Sequence, residues 1–271
     1  DDNKKSEDDT PIHGSNTTVE LGVQRATRST LCGILLVLLA MMLFAIMDGV
    51  NKYLATTYSF IQILWVRYLL FVAIALLVAR RGAGLRATLV STRRGLQIGR
   101  ALILVAEKAS FIIGFMYLPL ADVHAIAAVS PLIVTLLSAP LLREHVGLDR
   151  MLPVVAGLCG VLLIIRPGME VMSVAAVVPC VAALLWAAYQ MLTRAVSRFD
   201  SAQTTLLYTG LVGAGVLTVL GPFFWTPPTG NDWFLLLLVA VLGAAAHFAL
   251  IYALNIAAAS AVQPFVYSLF L

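Results

Sequence analysis

The stretch LCGILLVLLAMMLFAIMDGV, residues 31–50, carries a single ionisable side chain, Asp48. Bilayer hydrocarbon is roughly 30 Å thick, so a helix needs about 20 apolar residues to cross it. Residues 31–50 meet that length, and comparable blocks recur at 60–79, 97–118, 122–142, 151–166, 171–192, 202–225, 233–254 and 257–271. Inside hydrocarbon every backbone amide must find its partner within the segment, which makes helix the reading for each block. The block at 97–118 is the least regular, because Arg100, Glu107 and Lys108 interrupt it.

Composition agrees with that reading. Of 271 residues, 61% are hydrophobic and 12% charged, against about 45–50% and about 25% in soluble domains. The formal charge of +4 is concentrated in loops and therefore reports topology rather than nucleic-acid binding. Arg25 and Arg28 precede the first block. Arg80, Arg81, Arg86, Arg93 and Arg94 lie between the second and third, Arg143 and Arg150 between the fourth and fifth, and Arg194 and Arg198 between the sixth and seventh. The intervening loops carry only Lys52 and Arg166. The positive-inside rule then places the N-terminus in the cytoplasm, with residues 1–30 as a disordered tail. Cys32, Cys159 and Cys180 all fall inside apolar blocks; they read as small packing residues, and no metal-ligand spacing is present.

A repeat organises the blocks. Leu43-Phe44-Ala45 with Asp48 and Lys52 resembles Leu185-Trp186-Ala187 with Gln190 and Arg194, and Ser59 and Ser201 follow at matching positions. The segment from Ala121 to Ser130-Pro131 resembles the segment from Asn255 to Gln263-Pro264. The repeat length covers five helices. Five is odd, so the second copy enters the membrane inverted, an architecture that puts a substrate site near the midplane. The fold expected is an all-α polytopic bundle with about nine transmembrane helices here and ten in a complete protein. Residues 31–168 form the first five-helix repeat and 169–271 an incomplete second one. The chain starts without Met and stops inside an apolar run, which reads as a C-terminal truncation.

At this point the order of short motifs becomes informative. Leu118-Pro119-Leu120-Ala121-Asp122, Ser130-Pro131-Leu132, Leu142-Arg143-Glu144, Gly157-Leu158-Cys159-Gly160-Val161 and Arg166-Pro167-Gly168 follow one another along the chain. This series resembles the EamA-type transporters of the drug/metabolite transporter superfamily. His247 with the segment from Ala258 to Tyr267 is similar to a subgroup that includes S-adenosylmethionine uptake transporters. The resemblance implies two inverted five-helix halves that move small metabolites, such as amino acids or related compounds, with export favoured over uptake.

Ionisable groups inside a span cost about 2.5–3.5 kcal/mol or more, so they require a partner or a wet cavity. Asp48, Arg67, Glu107 and Lys108 are such groups. Glu107 can pair with Arg67 or Lys108, or take a proton or a substrate ammonium. Adjacent helical residues point about 100° apart, so Glu107 and Lys108 are not expected to share a cavity. Histidine is the side chain whose ordinary range suits a proton relay, which makes His124 and His247 candidates for one. Trp186, Tyr189 and Gln190 can stack on and hydrogen-bond a solute, and Gln263 and Tyr267 share a helix face. Structural roles (ion pairing, satisfied histidines, aromatic packing) remain open for all of these. Pro131 and Pro264 remove backbone hydrogen bonds at matching points and are read as kinks. Gly157 and Gly160 are read as close-packing positions, and Glu144 as a loop or helix-end charge.

The expected function is secondary transport of a small polar metabolite by alternating access, in a bacterial inner membrane, as a monomer or homodimer. Proton coupling through Glu107 or His247 is left open. No Walker A, HExxH or Gly-x-Ser-x-Gly pattern occurs, and no cofactor or metal is expected. The alternatives are an S-adenosylmethionine-like metabolite importer, a membrane-embedded enzyme and a non-transporting membrane subunit.

Overall fold

The computed structural model describes residues 13–82, 84–165 and 174–270. Eleven α-helices follow in order: α1 His13–Leu54, α2 Phe60–Arg81, α3 Leu85–Leu89, α4 Arg94–Tyr117, α5 Leu120–Ala127, α6 Ser130–Leu142, α7 Leu148–Ile165, α8 Val177–Val196, α9 Ala202–Leu220, α10 Gly230–Ile256 and α11 Ala259–Val266. No strand occurs among the described residues. Among the described residues, six stretches are long and apolar enough to cross a membrane: Arg28–Leu54, Phe60–Arg81, Leu120–Leu142, Val174–Val196, Ala202–Phe224 and Gly230–Ile256. The α4 helix stands outside that set, carrying Arg100, Glu107 and Lys108 in its interior. Helix α1 begins at His13, well before its apolar part, so it runs on through residues expected as tail. Extending an existing helix adds one hydrogen bond per residue fixed and escapes the cost of nucleation. Residues 1–12 and 166–173 lie outside the described residues.

The helix starts follow local chemistry. The Ser59 hydroxyl accepts from the Ile61 N–H at 3.2 Å and starts α2. Ser201 accepts from the Thr204 N–H at 3.2 Å and starts α9. Each satisfies a donor that the first turn leaves orphaned. Pro131 sits in the first turn of α6, where a missing N–H costs nothing. The chain therefore breaks into α5 and α6 there instead of bending one continuous helix. The Ser130 hydroxyl donates to the carbonyls of Ala127 at 2.7 Å and Ala183 at 3.2 Å, securing the break. Pro264 lies within α11, which tightens into a 3₁₀ turn at Tyr267–Phe270.

Helix α1 packs chiefly along α10, α4 along α8, and α2 along α9. Small residues set the closest approach: a Cβ at Gly210 would stand 2.9 Å from the Val72 Cα, and one at Gly213 would overlap the Tyr68 ring. The outer surface is apolar, with Leu35, Met42, Leu163 and Phe223 among its exposed side chains. Cys32, Cys159 and Cys180 are free and exposed on it. They are not the interior packing residues that their apolar context suggested, because a lipid-facing surface is as apolar as a core. At the end of the bundle where α9 finishes, Trp65, Trp225 and Trp233 pack ring to ring, with centroids 5.8 and 5.9 Å apart. The Trp65 indole N–H donates to the Thr218 hydroxyl at 3.1 Å.

Candidate functional site

A narrow cavity of about 40 Å³ opens among α1, α4, α5, α6, α8 and α11, and Asp48, Glu107, Lys108, Phe111 and Trp186 line it. Glu107 is fully buried. Its carboxylate pairs with the Lys108 ammonium, with Nζ 3.2 Å from Oε2 and 3.3 Å from Oε1. Glu107 and Lys108 thus do share one cavity, against the expectation from helical spacing. The four-carbon lysine stem curls back toward its neighbour and delivers the ammonium where the Cα direction alone would not. That ammonium also lies over three ring faces: Trp186 at 4.5 Å, Phe44 at 5.0 Å and Phe111 at 5.5 Å from the centroids. At the cavity's edge His124 Nε2 stands 3.7 Å from Asp48 Oδ2.

The other candidate residues lie around this centre without entering it. Arg67 is buried against Gly243, and its Nη1 makes no hydrogen bond to protein. His247 donates from Nδ1 to the Gly243 carbonyl at 2.8 Å. Its ring is enclosed by Phe44, Phe71, Tyr189 and Trp186. Gln263 donates to the Gln190 carbonyl oxygen at 3.1 Å, joining α11 to α8. Tyr267 diverges from Gln263 and packs on Gly157, where a Cβ would overlap its ring. Gly157 is thus a close-approach position, whereas Gly160 has open space around it.

Two buried clusters carry roles that the sequence reading did not assign. Arg100, fully buried, donates to the Thr205 carbonyl at 2.7 Å and the hydroxyls of Thr209 at 2.6 Å and Thr193 at 3.3 Å. Its guanidinium lies 5.2 Å from the Tyr189 ring centroid. Tyr189 is accordingly a platform for Arg100 rather than a cavity wall. The second cluster centres on Glu144, between α6 and α7. One carboxylate oxygen accepts from Arg194 Nε at 3.0 Å and the Ala259 N–H at 3.1 Å; the other accepts from the N–H and hydroxyl of Ser260 at 3.1 and 3.0 Å. The same guanidinium donates to the carbonyls of Leu254 at 3.0 Å and Asn255 at 3.4 Å. Glu144 therefore caps the start of α11 while Arg194 caps the end of α10, and the two are joined. Partial burial works against ionisation of Glu144. The Ser260 N–H, the Arg194 guanidinium and the Ala259 N–H outweigh it and hold the carboxyl below its usual range. On the opposite face Lys52 donates to the carbonyls of Phe115 and Leu118, capping the end of α4. Among the described residues no three His, Cys, Asp or Glu side chains gather as a metal site.

Motif order, helical fold and a buried ion pair at a central cavity agree with a match over residues 31–166 to the EamA-like transporter family. The chain belongs to that family. It is a membrane transporter of the drug/metabolite superfamily by that membership. Among curated proteins, this EamA-family chain is 29% identical to a riboflavin transporter of Vibrio cholerae over 86% of its own length and 79% of that protein's. It is 24% identical to an S-adenosylmethionine uptake transporter of Rickettsia prowazekii, over 89% and 82%. A crystal structure of another protein superposes on the EamA-family chain with a TM-score of 0.72 and 18% identity, covering 90% of this chain and 85% of that one. The two share the fold.

Proposed function

We propose that the chain is a secondary transporter that takes up a small polar metabolite bearing a planar heteroaromatic ring, by alternating access through the Glu107–Lys108 cavity. The observation that carries this reading is the ion pair itself. A charged pair held at the wall of a cavity inside an apolar bundle is costly unless a solute or water uses it. The names of both groups of relatives supply the substrate class, since riboflavin and S-adenosylmethionine each carry such a ring, and aromatic side chains line the cavity. The word uptake in the names of the S-adenosylmethionine relatives favours import over the export that the family resemblance suggested. Glu107 is the proton site in this reading, because it meets the cavity while His247 is walled in by rings.

The same reading divides the chain into inverted halves, 31–168 and 169–271, of a ten-helix protein. Exchange of the halves turns α1 into α8, α2 into α9 and α4 into α10. The packing of α1 on α10 then becomes that of α8 on α4, and both are extensive. Ser59 and Ser201 become equivalent caps, and Lys52 on the end of α4 becomes Arg194 on the end of α10. The face bearing Arg143, Arg150, Arg194 and Arg198 is cytoplasmic in this reading, in a bacterial inner membrane. The Glu144 clamp closes that face, and its opening is one half of the transport cycle.

The test is flux into proteoliposomes. Saturable uptake of riboflavin or of S-adenosylmethionine, accelerated by an inwardly directed proton gradient and abolished in Glu107→Gln, is the expected result. Equal flux in both proteins would sink the role of Glu107. Absence of flux for either solute would remove the substrate class.

A further inference from the structure

Three aromatic faces around a cation, with a carboxylate at the base, form the arrangement in which proteins bind quaternary ammonium and sulfonium groups. Phe44, Trp186 and Phe111 form such a cage, with Glu107 beneath. Its occupant belongs to the chain: the Lys108 ammonium stands 4.5–5.5 Å from all three ring centroids. The lysine side chain is only 10% exposed, and the remaining space is about 40 Å³. A second cation can reach the three rings only by displacing the ammonium. The Glu107 charge is already matched by Lys108, and His124 Nε2 stands 3.7 Å from Asp48 Oδ2.

We infer that Lys108 is a tethered cation filling an aromatic cage, and that it sets the charge of the solute the cavity accepts. An uncharged planar ring bearing hydrogen-bond acceptors is admitted, since the ammonium can turn from Glu107 to donate to it. A sulfonium or quaternary ammonium is refused, because its own recognition site is taken by a group at high effective concentration that cannot diffuse away; of the two solutes named above, the cavity therefore takes riboflavin rather than the sulfonium S-adenosylmethionine. This deepens the transport reading and rests on it for the identity of the path, but the cage stands on geometry alone. Replacing Lys108 by alanine empties the cage of three methylenes and an ammonium while leaving the three rings and the Glu107 carboxylate. The product is a cation site.

The experiment measures equilibrium binding of radiolabelled tetramethylammonium to the full chain in detergent, with no need for flux. Wild type and Lys108→Arg, which keeps the charge, are expected to bind the probe weakly and alike. Lys108→Ala is expected to bind it about tenfold more tightly or better, and adding Trp186→Leu to that variant removes the gain. Tight binding to wild type, or no gain in monodisperse Lys108→Ala, overturns the inference. Should Lys108→Ala aggregate, a wild-type measurement decides: riboflavin flux unchanged by millimolar tetramethylammonium supports the filled cage, and competitive inhibition refutes it. Cation binding gained in Lys108→Ala without any wild-type flux would reject transport and keep the cage. Wild-type flux with no gain would do the reverse.

Discussion

Replacing Glu144 by alanine deletes four hydrogen bonds, three of which hold the start of α11. The donors of those three are the Ala259 and Ser260 amides and the Ser260 hydroxyl, all within 3.0–3.1 Å of the carboxylate. A hydrogen bond to a charged group contributes about 1.5–3 kcal/mol when buried. Glu144 sits at the aqueous edge of the bundle, where water replaces part of each, so about 1 kcal/mol apiece is the defensible figure. The sum, about 3 kcal/mol, corresponds to a shift of about a hundredfold in the opening equilibrium of α11. Hydrogen–deuterium exchange of the segment 255–266 reads it directly: the Ala259 and Ser260 amides should exchange about a hundredfold faster in Glu144→Ala. The pH dependence has a fixed sign. Because the folded carboxyl is held below the ordinary value of 4.5, its stabilisation is fully present above that value and is lost as pH falls through the folded one. The variant-to-wild-type exchange ratio should therefore stay flat from neutral pH down to about 5 and collapse toward one in stronger acid. A ratio within twofold of one at neutral pH, in a folded variant, would refute the clamp.

Four further substitutions, at Arg100, Gly210 and Gly215, probe the packing. Arg100→Lys should cost about 2 kcal/mol, because a point ammonium cannot reach three acceptors that a planar guanidinium spans. Arg100→Met should stay within about 1 kcal/mol of wild type, since it removes a buried charge and orphans nothing: the Thr209 hydroxyl still donates to the Thr205 carbonyl and that of Thr193 to the Tyr189 carbonyl. Thermal unfolding in detergent orders the pair, and methionine faring worse than lysine would show that the charge itself is needed. Gly210→Ala should lose about 1–3 kcal/mol by forcing α2 from α9, because its Cβ meets the Val72 backbone. Gly215→Ala on the same helix meets nothing within 4 Å and should be neutral in the same melts.

Much of the helical framework was legible because lipid leaves few choices. A backbone without water must bond to itself, so apolar length alone announced helices such as α2, α9 and α10. Ser59 and Ser201 stood out in the sequence only as matching positions, and it is the structure that shows each starting a helix by accepting from its first turn. Pro131 marked an interruption, though its place in the first turn of α6 makes it a starting point for a new helix. The ion pair of Glu107 was anticipated, but its partner was left between Arg67 and Lys108, and only the curl of the lysine stem decides that. Arg100 and Glu144 were harder to read. Arg100 registers in sequence as an interruption of an apolar block, and its threonine partners lie more than ninety positions away. Glu144 lies 115 positions from Ala259, and nothing local distinguishes a carboxylate that caps a distant helix from one that faces water.

The tryptophans have an optical consequence. The chain has four, and three of them, Trp65, Trp225 and Trp233, touch one another at one end of the bundle. The fourth, Trp186, faces the cavity. Indoles this close exchange excitation and act as one emitter, of a residue type enriched where acyl chains meet headgroups. Brominated lipids should darken that emitter with an efficiency set by the depth of the bromine, giving the height of the bundle in the bilayer. The residual light comes from Trp186 alone, so one unlabelled protein carries both a depth gauge and a reporter of what fills its centre.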